Sequence, residues 1–386
     1  MQVQIDQAVL LDGVSRALGS VERNGSLPIL ATCLIQTNGA GIKIAATDLE
    51  VYFEGRLEAD VVEQGGVAVQ ANYLHNLLKT MPQTKLSINV NAESYMTIRA
   101  GDSQYDLMGL PVDHFPPAPD LPEGNQVEIR GGLLAEMIGK TIFACSHDQF
   151  QLHLQGVHVE KVEVDGKPGL RLVATDGHRL AYVDRPIPGS ETLELNSCST
   201  IPIKAAREIG RMWERTDQTA ISLAASEKAL AIISREQTLR ARFLEKPFPD
   251  YRRVVPSNYQ YRFTINRQAL ITVLKRMAML SEEKYKGVIF SFTEDKVVAR
   301  IESPSVGHGK EVLPITTESN PGSPKEDGDE SSFSLTIGFN IRYLLDPLLA
   351  MGGEYCSFEV DTPKRAWRLT SPEDPHYSNL VMPMDI

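Results

Sequence analysis

Apolar residues return at helical spacing in six separated stretches of this chain, and between them they alternate as strands do. Three of the stretches open similar blocks: Gln7–Val21 with Leu10, Leu11, Val14 and Leu18; Gly132–Cys145 with Leu133, Leu134, Met137 and Ile142; and Asn266–Leu280 with Leu270, Val273, Leu274 and Met277. A strand-rich run follows each one, then a second helix: Asn72–Met81, Ile203–Trp213 and Asn340–Met351. More strands follow, and each block closes on a proline, at Phe115-Pro116, Phe248-Pro249 and Met382-Pro383. The pattern predicts one α+β plan written three times, with domains at 1–125, 126–257 and 258–386. Repeated units of this size extend a surface or curve into a ring more readily than they build one catalytic cleft.

Strands are expected at Leu27–Thr37, Ile42–Glu54, Val157–Val164, Gly169–Ala174 and Leu180–Arg185, where β-branched residues concentrate. Asp165-Gly166 and Asp176-Gly177 read as hairpin turns, with glycine supplying positive φ. Thr47-Asp48-Leu49-Glu50 occupies in the first block the place of Thr175-Asp176-Gly177-His178 in the second, and the third block loses the pattern near Ala299–Glu302. Pro116–Asn125 and Val255–Asn258 read as linkers, and Thr317–Ser332 as a disordered surface insertion. Pro347 inside the last helix predicts a kink.

Composition narrows the class. The 386 residues are 42% hydrophobic and 23% charged, which suits a globular protein of two to four domains. No run approaches the roughly 20 apolar residues of a membrane span, and Met1–Asp6 lacks a signal pattern, so a cytoplasmic protein is expected. Cys33, Cys145, Cys198 and Cys356 lie too far apart for a zinc motif and read as reduced thiols. Net charge is −11, which by itself argues against nucleic acid. The charge is sorted, however. The six helices, extended to Arg23 and Thr216, hold twelve basic residues (Arg16, Arg23, Lys79, Lys140, Lys204, Arg207, Arg211, Arg215, Arg267, Lys275, Arg276, Arg342) against six acidic ones, leaving 27 basic and 44 acidic elsewhere. Basic helices in an acidic protein point to a phosphate-facing surface; a solvated helix face is the plainer alternative.

Catalytic signatures are absent. Asp176 and His178 could orient a general base, which keeps a hydrolase as an alternative, but no nucleophile motif accompanies them. The eight histidines show no metal-ligand spacing, Gly307-His308-Gly309-Lys310 lacks the glycines of a phosphate loop, and no metal or cofactor is implied. A repeat-built scaffold without a DNA role is the other alternative. The apolar terminus Leu380–Ile386 reads as a strand packed in its own sheet or as a contact surface.

Val173-Ala174-Thr175-Asp176-Gly177-His178-Arg179-Leu180-Ala181, Phe248-Pro249-Asp250-Tyr251-Arg252-Arg253-Val254, Leu27-Pro28-Ile29-Leu30 with Thr47-Asp48-Leu49-Glu50, and Val381-Met382-Pro383-Met384 together resemble the bacterial DNA polymerase III β subunit, or sliding-clamp, family, in order and over essentially the whole chain. The resemblance implies three copies of a DNA-clamp domain, each with two helices packed on antiparallel sheets. It implies a head-to-tail homodimer forming a closed six-domain ring around double-stranded DNA, without sequence preference. Such a protein is a processivity factor and not an enzyme. Its partners are the polymerase III α subunit, the clamp loader and other proteins with a clamp-binding motif of the Q-L-x-L-F kind.

The resemblance also implies sites. The peptide pocket falls on Leu154, Thr175, Gly177, His178, Arg179, Leu180, Pro249, Arg253, Val254, Leu380, Val381, Met382, Pro383, Met384 and Ile386. DNA contacts fall on Arg23, Gln149 and His153, in the loop His147–His153, together with the helix residues Lys79, Lys140, Lys204, Arg207, Arg211, Arg215, Lys275 and Arg276. The dimer edge falls on Tyr105 and Leu107 against Met279 and Leu280. Four places depart from the family pattern: Leu152 and His153 stand where relatives carry aromatics, Asp385 where a basic residue is familiar, and Asp102 and Gln104 where basic residues are expected.

Overall fold

The computed structural model describes residues 1–22, 25, 27–213, 217–256, 258–281, 287–319, 334–362 and 364–384. The three blocks follow one order of elements. The first runs β1 (Gln2–Asp6), α1 (Gln7–Ala17), β2 (Thr32–Asn38), β3 (Gly41–Thr47), β4 (Val51–Glu58), β5 (Asp60–Glu63), β6 (Gly66–Gln70), α2 (Ala71–Thr80), β7 (Lys85–Val90), β8 (Tyr95–Ala100) and β9 (Ser103–Leu110). The second runs β10 (Gln126–Arg130), α3 (Gly131–Gly139), β11 (Gly156–Val164), β12 (Lys167–Thr175), β13 (Arg179–Pro186), β14 (Thr200–Pro202), α4 (Ile203–Met212), β15 (Ala220–Ala225), β16 (Ala229–Ile233) and β17 (Gln237–Arg242). The third runs β18 (Tyr261–Asn266), α5 (Arg267–Ala278), β19 (Gly287–Phe292), β20 (Lys296–Ser303), β21 (Gly307–Ser319), β22 (Leu335–Asn340), α6 (Ile341–Ala350), β23 (Tyr355–Val360), β24 (Trp367–Ser371) and β25 (Asp374–Val381).

All six expected helices form, and their ends shift for local reasons. Asn266 and Asn340 stand outside their helices as caps, each accepting a backbone N–H at 3.0 Å, from Ala269 and Arg342. The helix at Gly132–Cys145 stops at Gly139, and a 3₁₀ turn at Ile142–Ala144 follows, with the Thr141 hydroxyl bonded back to the Met137 carbonyl at 3.0 Å. Helix α6 continues through Pro347, which is buried and contributes no backbone donor.

Two strand expectations are corrected. Leu27–Thr37 is not one strand, because Pro28 starts a 3₁₀ turn to Ala31 and β2 begins at Thr32. Ile42–Glu54 is two strands, β3 and β4, folded at the turn Asp48–Glu50. That turn and the one at Asp176–His178 share their bonding. The Thr47 hydroxyl donates to the Val51 carbonyl and accepts from Leu49 N–H; the Thr175 hydroxyl donates to the Arg179 carbonyl and accepts from Gly177 N–H. Asp48 and Asp176 each take two backbone N–H groups on Oδ1. Gly177 has φ 86°, and Leu49 holds the same left-handed conformation at φ 76°, where a side chain is strained. In the third block Ala299–Glu302 lies inside β20. The equivalent turn starts at Ser303, whose hydroxyl accepts from Val306 N–H at 3.2 Å. Asp165 and Gly166 both have positive φ, as a tight hairpin requires. Of the expected insertion, Thr317–Ser319 ends β21, and residues 320–332 lie outside the described set.

Two compact units are formed, residues 1–136 with 187–245, and residues 137–186 with 246–386. The first contains an antiparallel sheet in the order β10-β15-β16-β17-β4-β3-β2-β6-β9-β8-β7-β1-β5. In the second the order is β11-β12-β13-β25-β24-β23-β18-β21-β20-β19-β22. Each unit therefore contains one join between blocks, made the same way: the last strand of a block pairs antiparallel with the third block-strand after the first helix of the preceding block. In the first unit β17 lies on β4, with Gln237 opposite Gly55 and Ala241 opposite Val51. In the second β25 lies on β13, with Val381 opposite Arg179 and Tyr377 opposite Val183. The third block's core is aromatic: Phe263, Phe290, Phe292, Phe339, Phe358 and Trp367 are all buried, with ring centroids as close as 4.5 Å.

Besides the end strands of the sheets, β9 and β21 each keep part of a ladder free among the described residues. One side of β9 is covered by β8, and the other meets β6 only at Gly109 and Leu110. One side of β21 is covered by β20 from Gly307 to Pro314, and β18 reaches the other only from Ile315 on.

Candidate functional site

In the second unit, apolar side chains from four segments converge. Leu154 comes from the 3₁₀ turn before β11, Val173 from β12, Leu180 and Tyr182 from β13, and Leu380 from β25 directly opposite Leu180. Phe248, Tyr251 and Ala366 complete the cluster, with Val255 packed against it. Period-two alternation explains the membership: Val173 and Thr175 share a face of β12, as Leu180 and Tyr182 do on β13. Phe248 is stacked on the buried His158 ring at 4.8 Å and meets the edge of Tyr251 at 6.2 Å. Thus the Phe248–Val254 segment forms the back of the cluster with its aromatics and leaves Pro249, Arg253 and Val254 exposed at the rim.

A polar network pins that segment. The Tyr251 hydroxyl donates to Glu160 and accepts from Arg171 at 3.0 Å. Arg171 clamps Asp184 through two bonds of 2.6 Å and lies 4.4 Å over the Tyr182 ring. Arg252 reaches Glu160 at 2.5 Å. Burial pushes the Tyr251 phenol far above its ordinary value, with Arg171 opposing, so the group stays a neutral donor.

The hairpin β12–β13 supplies the other wall. Arg179 is buried and fully engaged, bonding Asp176 at 3.0 Å, Asp346 at 2.7 Å and the Phe143 carbonyl at 2.5 Å, with Tyr343 4.7 Å away on its face. His178 is exposed and stacks on Tyr343 at 6.2 Å. Asp176 therefore holds its own turn and Arg179, and the side-chain pairing that the hydrolase alternative needs between Asp176 and His178 is not seen among the described residues.

The chain end crosses this wall. Met382 N–H bonds the His178 carbonyl at 2.9 Å, and Met384 N–H bonds the Gly338 carbonyl at 2.8 Å on the outer edge of β22. Leu380 and Val381 are buried inside β25, while Met382 and Met384 are about 40% exposed, the Met384 thioether lying next to Gly287 of β19. Ile386 and Asp385 lie outside the described residues. The result is an apolar floor with a flexible thioether rim, a surface suited to hydrophobic anchors of an extended peptide. Sequence reasoning missed Val173, Tyr182, Phe248, Tyr251, Tyr343 and Ala366. Strand alternation could have found the first two, whereas Tyr343 and Ala366 arrive from the third block with no local signal.

The basic helix residues divide into two groups. Lys79, Arg207 and Lys275 are exposed and have no ion pair among the described residues. Helix α4 is the clearest case, burying Ala205, Ala206 and Ile209 and turning Arg207 and Arg211 outward, with Arg211 held to Glu208 at 3.2 Å. Others are engaged. Lys204 pairs with Asp48 and bonds the Val21 carbonyl at 3.1 Å. Arg276 forks onto Glu311. Arg267 binds the Gly353 and Leu348 carbonyls. Lys140 is a correction: it is buried against Asp374 at 2.5 Å, so its charge is spent inside the fold and it is no surface contact. Arg23 and Arg215 lie outside the described residues. In the loop before β11, Gln149 is exposed and His153 half-buried, and Phe150, 85% exposed, is an aromatic close to the places where Leu152 and His153 depart from the family pattern.

At the expected dimer edge, Tyr105 is exposed and Leu107 half-buried on the free side of β9; Met279 is 79% exposed and Leu280 half-buried after α5.

Models of the DNA polymerase III beta subunit match the chain in three consecutive pieces, the N-terminal domain at residues 1–119, the central domain at 128–250 and the C-terminal domain at 252–385. The Beta sliding clamp of Pseudomonas aeruginosa is 29% identical over 388 residues and that of Caulobacter vibrioides 27% over 390, each alignment covering 100% of both chains. Among solved structures, the beta sliding clamp of C. crescentus is similar with a TM-score of 0.88 at 26% identity, and the DNA polymerase III subunit beta of P. aeruginosa with 0.86 at 26%, both over the full length of each chain. Three matches to successive domains of one subunit, in order and over nearly every residue, mean that the chain belongs to the DNA polymerase III beta-subunit family of sliding clamps.

Proposed function

We propose that two copies of this chain close head to tail into a ring that encircles duplex DNA and tethers the replicative polymerase, catalysing nothing itself. The observation that carries this reading is the repeated join. Blocks one and two, and blocks two and three, are joined by pairing a last strand with the third block-strand after the first helix of the preceding block. The same rule assigns β9 to β21, each of which keeps part of its ladder free, and two copies satisfy it twice. The three blocks then act as clamp domains 1–125, 126–257 and 258–386.

Phosphate contacts from Arg207, Arg211, Lys79 and Lys275, with Arg23, Arg215, Gln149 and His153 in support, would hold DNA without reading sequence. The cluster under Leu180 and Leu380 would take the hydrophobic anchors of peptide motifs from the polymerase α subunit, the clamp loader and other partners, with Thr175, Gly177, His178, Arg179 and Met382–Met384 around it. Among the described residues no helix is long and apolar enough to cross a membrane, and the kinship to replication proteins supports a cytoplasmic location.

Arg207→Glu with Arg211→Glu tests the DNA face. DNA association should weaken roughly tenfold at moderate salt, and its salt dependence should flatten by about one power for each phosphate that is no longer neutralised. Unchanged loading with an unchanged salt slope would favour a protein scaffold without a DNA role.

A further inference from the structure

Helices α1, α3 and α5 can be superposed by their buried positions: Leu10, Val14 and Ala17; Leu134, Ile138 and Thr141; Leu270, Leu274 and Met277. One basic residue then occupies the same place in each block: Arg16, Lys140 and Arg276. The last hairpins superpose too, with closing pairs Ser234 and Gln237, Ser371 and Asp374, Ala100 and Ser103. At their tips Glu236, Glu373 and Asp102 share one place.

At both joins inside the chain the basic residue meets the last hairpin of the next block, at the tip Glu236 in the first and at Asp374, one residue past the tip, in the second. Arg16 lies 3.6 Å from Glu236 and 3.4 Å from the Gln237 side chain, while its own helix holds it through Asp12 at 2.5 Å. Lys140 lies 2.5 Å from Asp374, which Arg185 also binds at 2.7 Å. Arg276 has the in-block half of this arrangement: Glu311 of β21 holds it, both side chains remain partly exposed, and among the described residues no hairpin tip meets it. On the other free edge Asp102 is exposed at its tip, with Asp106 four residues on. Beside Arg276, the free stretch of β21 carries His308 and Lys310. Thus the acidic edge is on β9 and the basic one on β21.

We propose that the join between copies carries the same latch in trans, Arg276 of one chain against Asp102 at the β8–β9 tip of a second copy. The inference rests on the ring reading and adds its polarity and register. Like β9, β17 follows a two-residue turn with no bulge, so the β17–β4 join is the template. It places Ser103 opposite Lys310 and Leu107 opposite Val306. Val306, Val312 and Met108, all more than half exposed in the single chain, would be covered there. Exposed charges of this kind act on partner choice and association more than on fold stability.

Sedimentation equilibrium of the full chain, at low and high salt, tests the latch. Asp102→Lys and Arg276→Glu should each weaken dimerisation about tenfold at low salt, and the double variant should recover most of the loss. High salt should shrink the differences. A dimeric parent whose single variants associate unchanged, or a double variant no tighter than its weaker single, would overturn the latch. A parent that stays monomeric at micromolar concentration would overturn the ring reading itself. Register has its own readout: Ser103→Cys with Lys310→Cys should oxidise to a covalent dimer, and Ser103→Cys with Val306→Cys should not. The reverse result would overturn the pairing.

Discussion

A chain ending at Val381 should lose about 100-fold in affinity for a Q-L-x-L-F peptide while its unfolding free energy falls by no more than about 1 kcal/mol. The cut is placed there because Leu380 and Val381 are internal to β25, opposite Leu180 and Arg179. Removing them would open the join between blocks and confuse binding with folding. Met382 and Met384 instead hang between two single backbone bonds, to His178 and Gly338, with their side chains about 40% exposed. Calorimetry with the peptide, alongside thermal unfolding, separates the effects. Full affinity after truncation would show that the floor binds without its thioether rim.

Asp374→Asn should destabilise the second unit by about 3–5 kcal/mol, because it removes the carboxylate that Lys140 and Arg185 share at a largely shielded site. Both cations are mostly shielded, and Lys140 is further fixed by its carbonyl, which accepts from the Tyr377 hydroxyl at 2.9 Å. Burial alone would raise the Asp374 carboxyl, but the bonds from Arg185 and Lys140 prevail and hold it below the usual carboxylate range. A depressed folded value means that the carboxylate's contribution is fully present above the unfolded value near 4 and is lost as pH falls through the folded one. The parent should therefore lose this stability only below about pH 4, and Asp374→Asn should show a shallower acid limb. Denaturant titration at pH 7 and pH 3 checks both points. An equal cost at the two pH values would exclude the charge as its origin.

What could be read in the sequence follows from how local each signal is. Helix periodicity and strand alternation depend on neighbours in the chain, so the threefold plan and all six helices were legible. The errors at Pro28 and Asp48 arise where a side chain competes for backbone bonds: proline starts a 3₁₀ turn, and the Thr-Asp pair folds one apolar run into two strands. The charge count overstated the basic surface for a different reason. Lys140, Lys204, Arg267 and Arg276 are spent on carboxylates and carbonyls brought in from elsewhere in the fold, and composition is blind to such partners. The pocket shows the same division. Leu180 came with a quoted motif, Leu380 with the apolar terminus and Leu154 with the family resemblance, whereas Tyr343 joins only because α6 lies against the β12–β13 hairpin.

The joins between blocks also explain why the pocket is not simply repeated. The β12–β13 hairpin presents Gly177 and the engaged Arg179 against Tyr343, while its first-block counterpart has Leu49 and Val51 at those places. Similar backbone with different side chains leaves the architecture common to all three blocks and the peptide floor particular to one.

Closure around DNA is the central claim, and topology tests it most directly. Protein loaded by a clamp loader onto a nicked circular duplex should stay bound through gel filtration at raised salt and be released when a single cut linearises the circle. Equal retention on circular and linear DNA would contradict a ring.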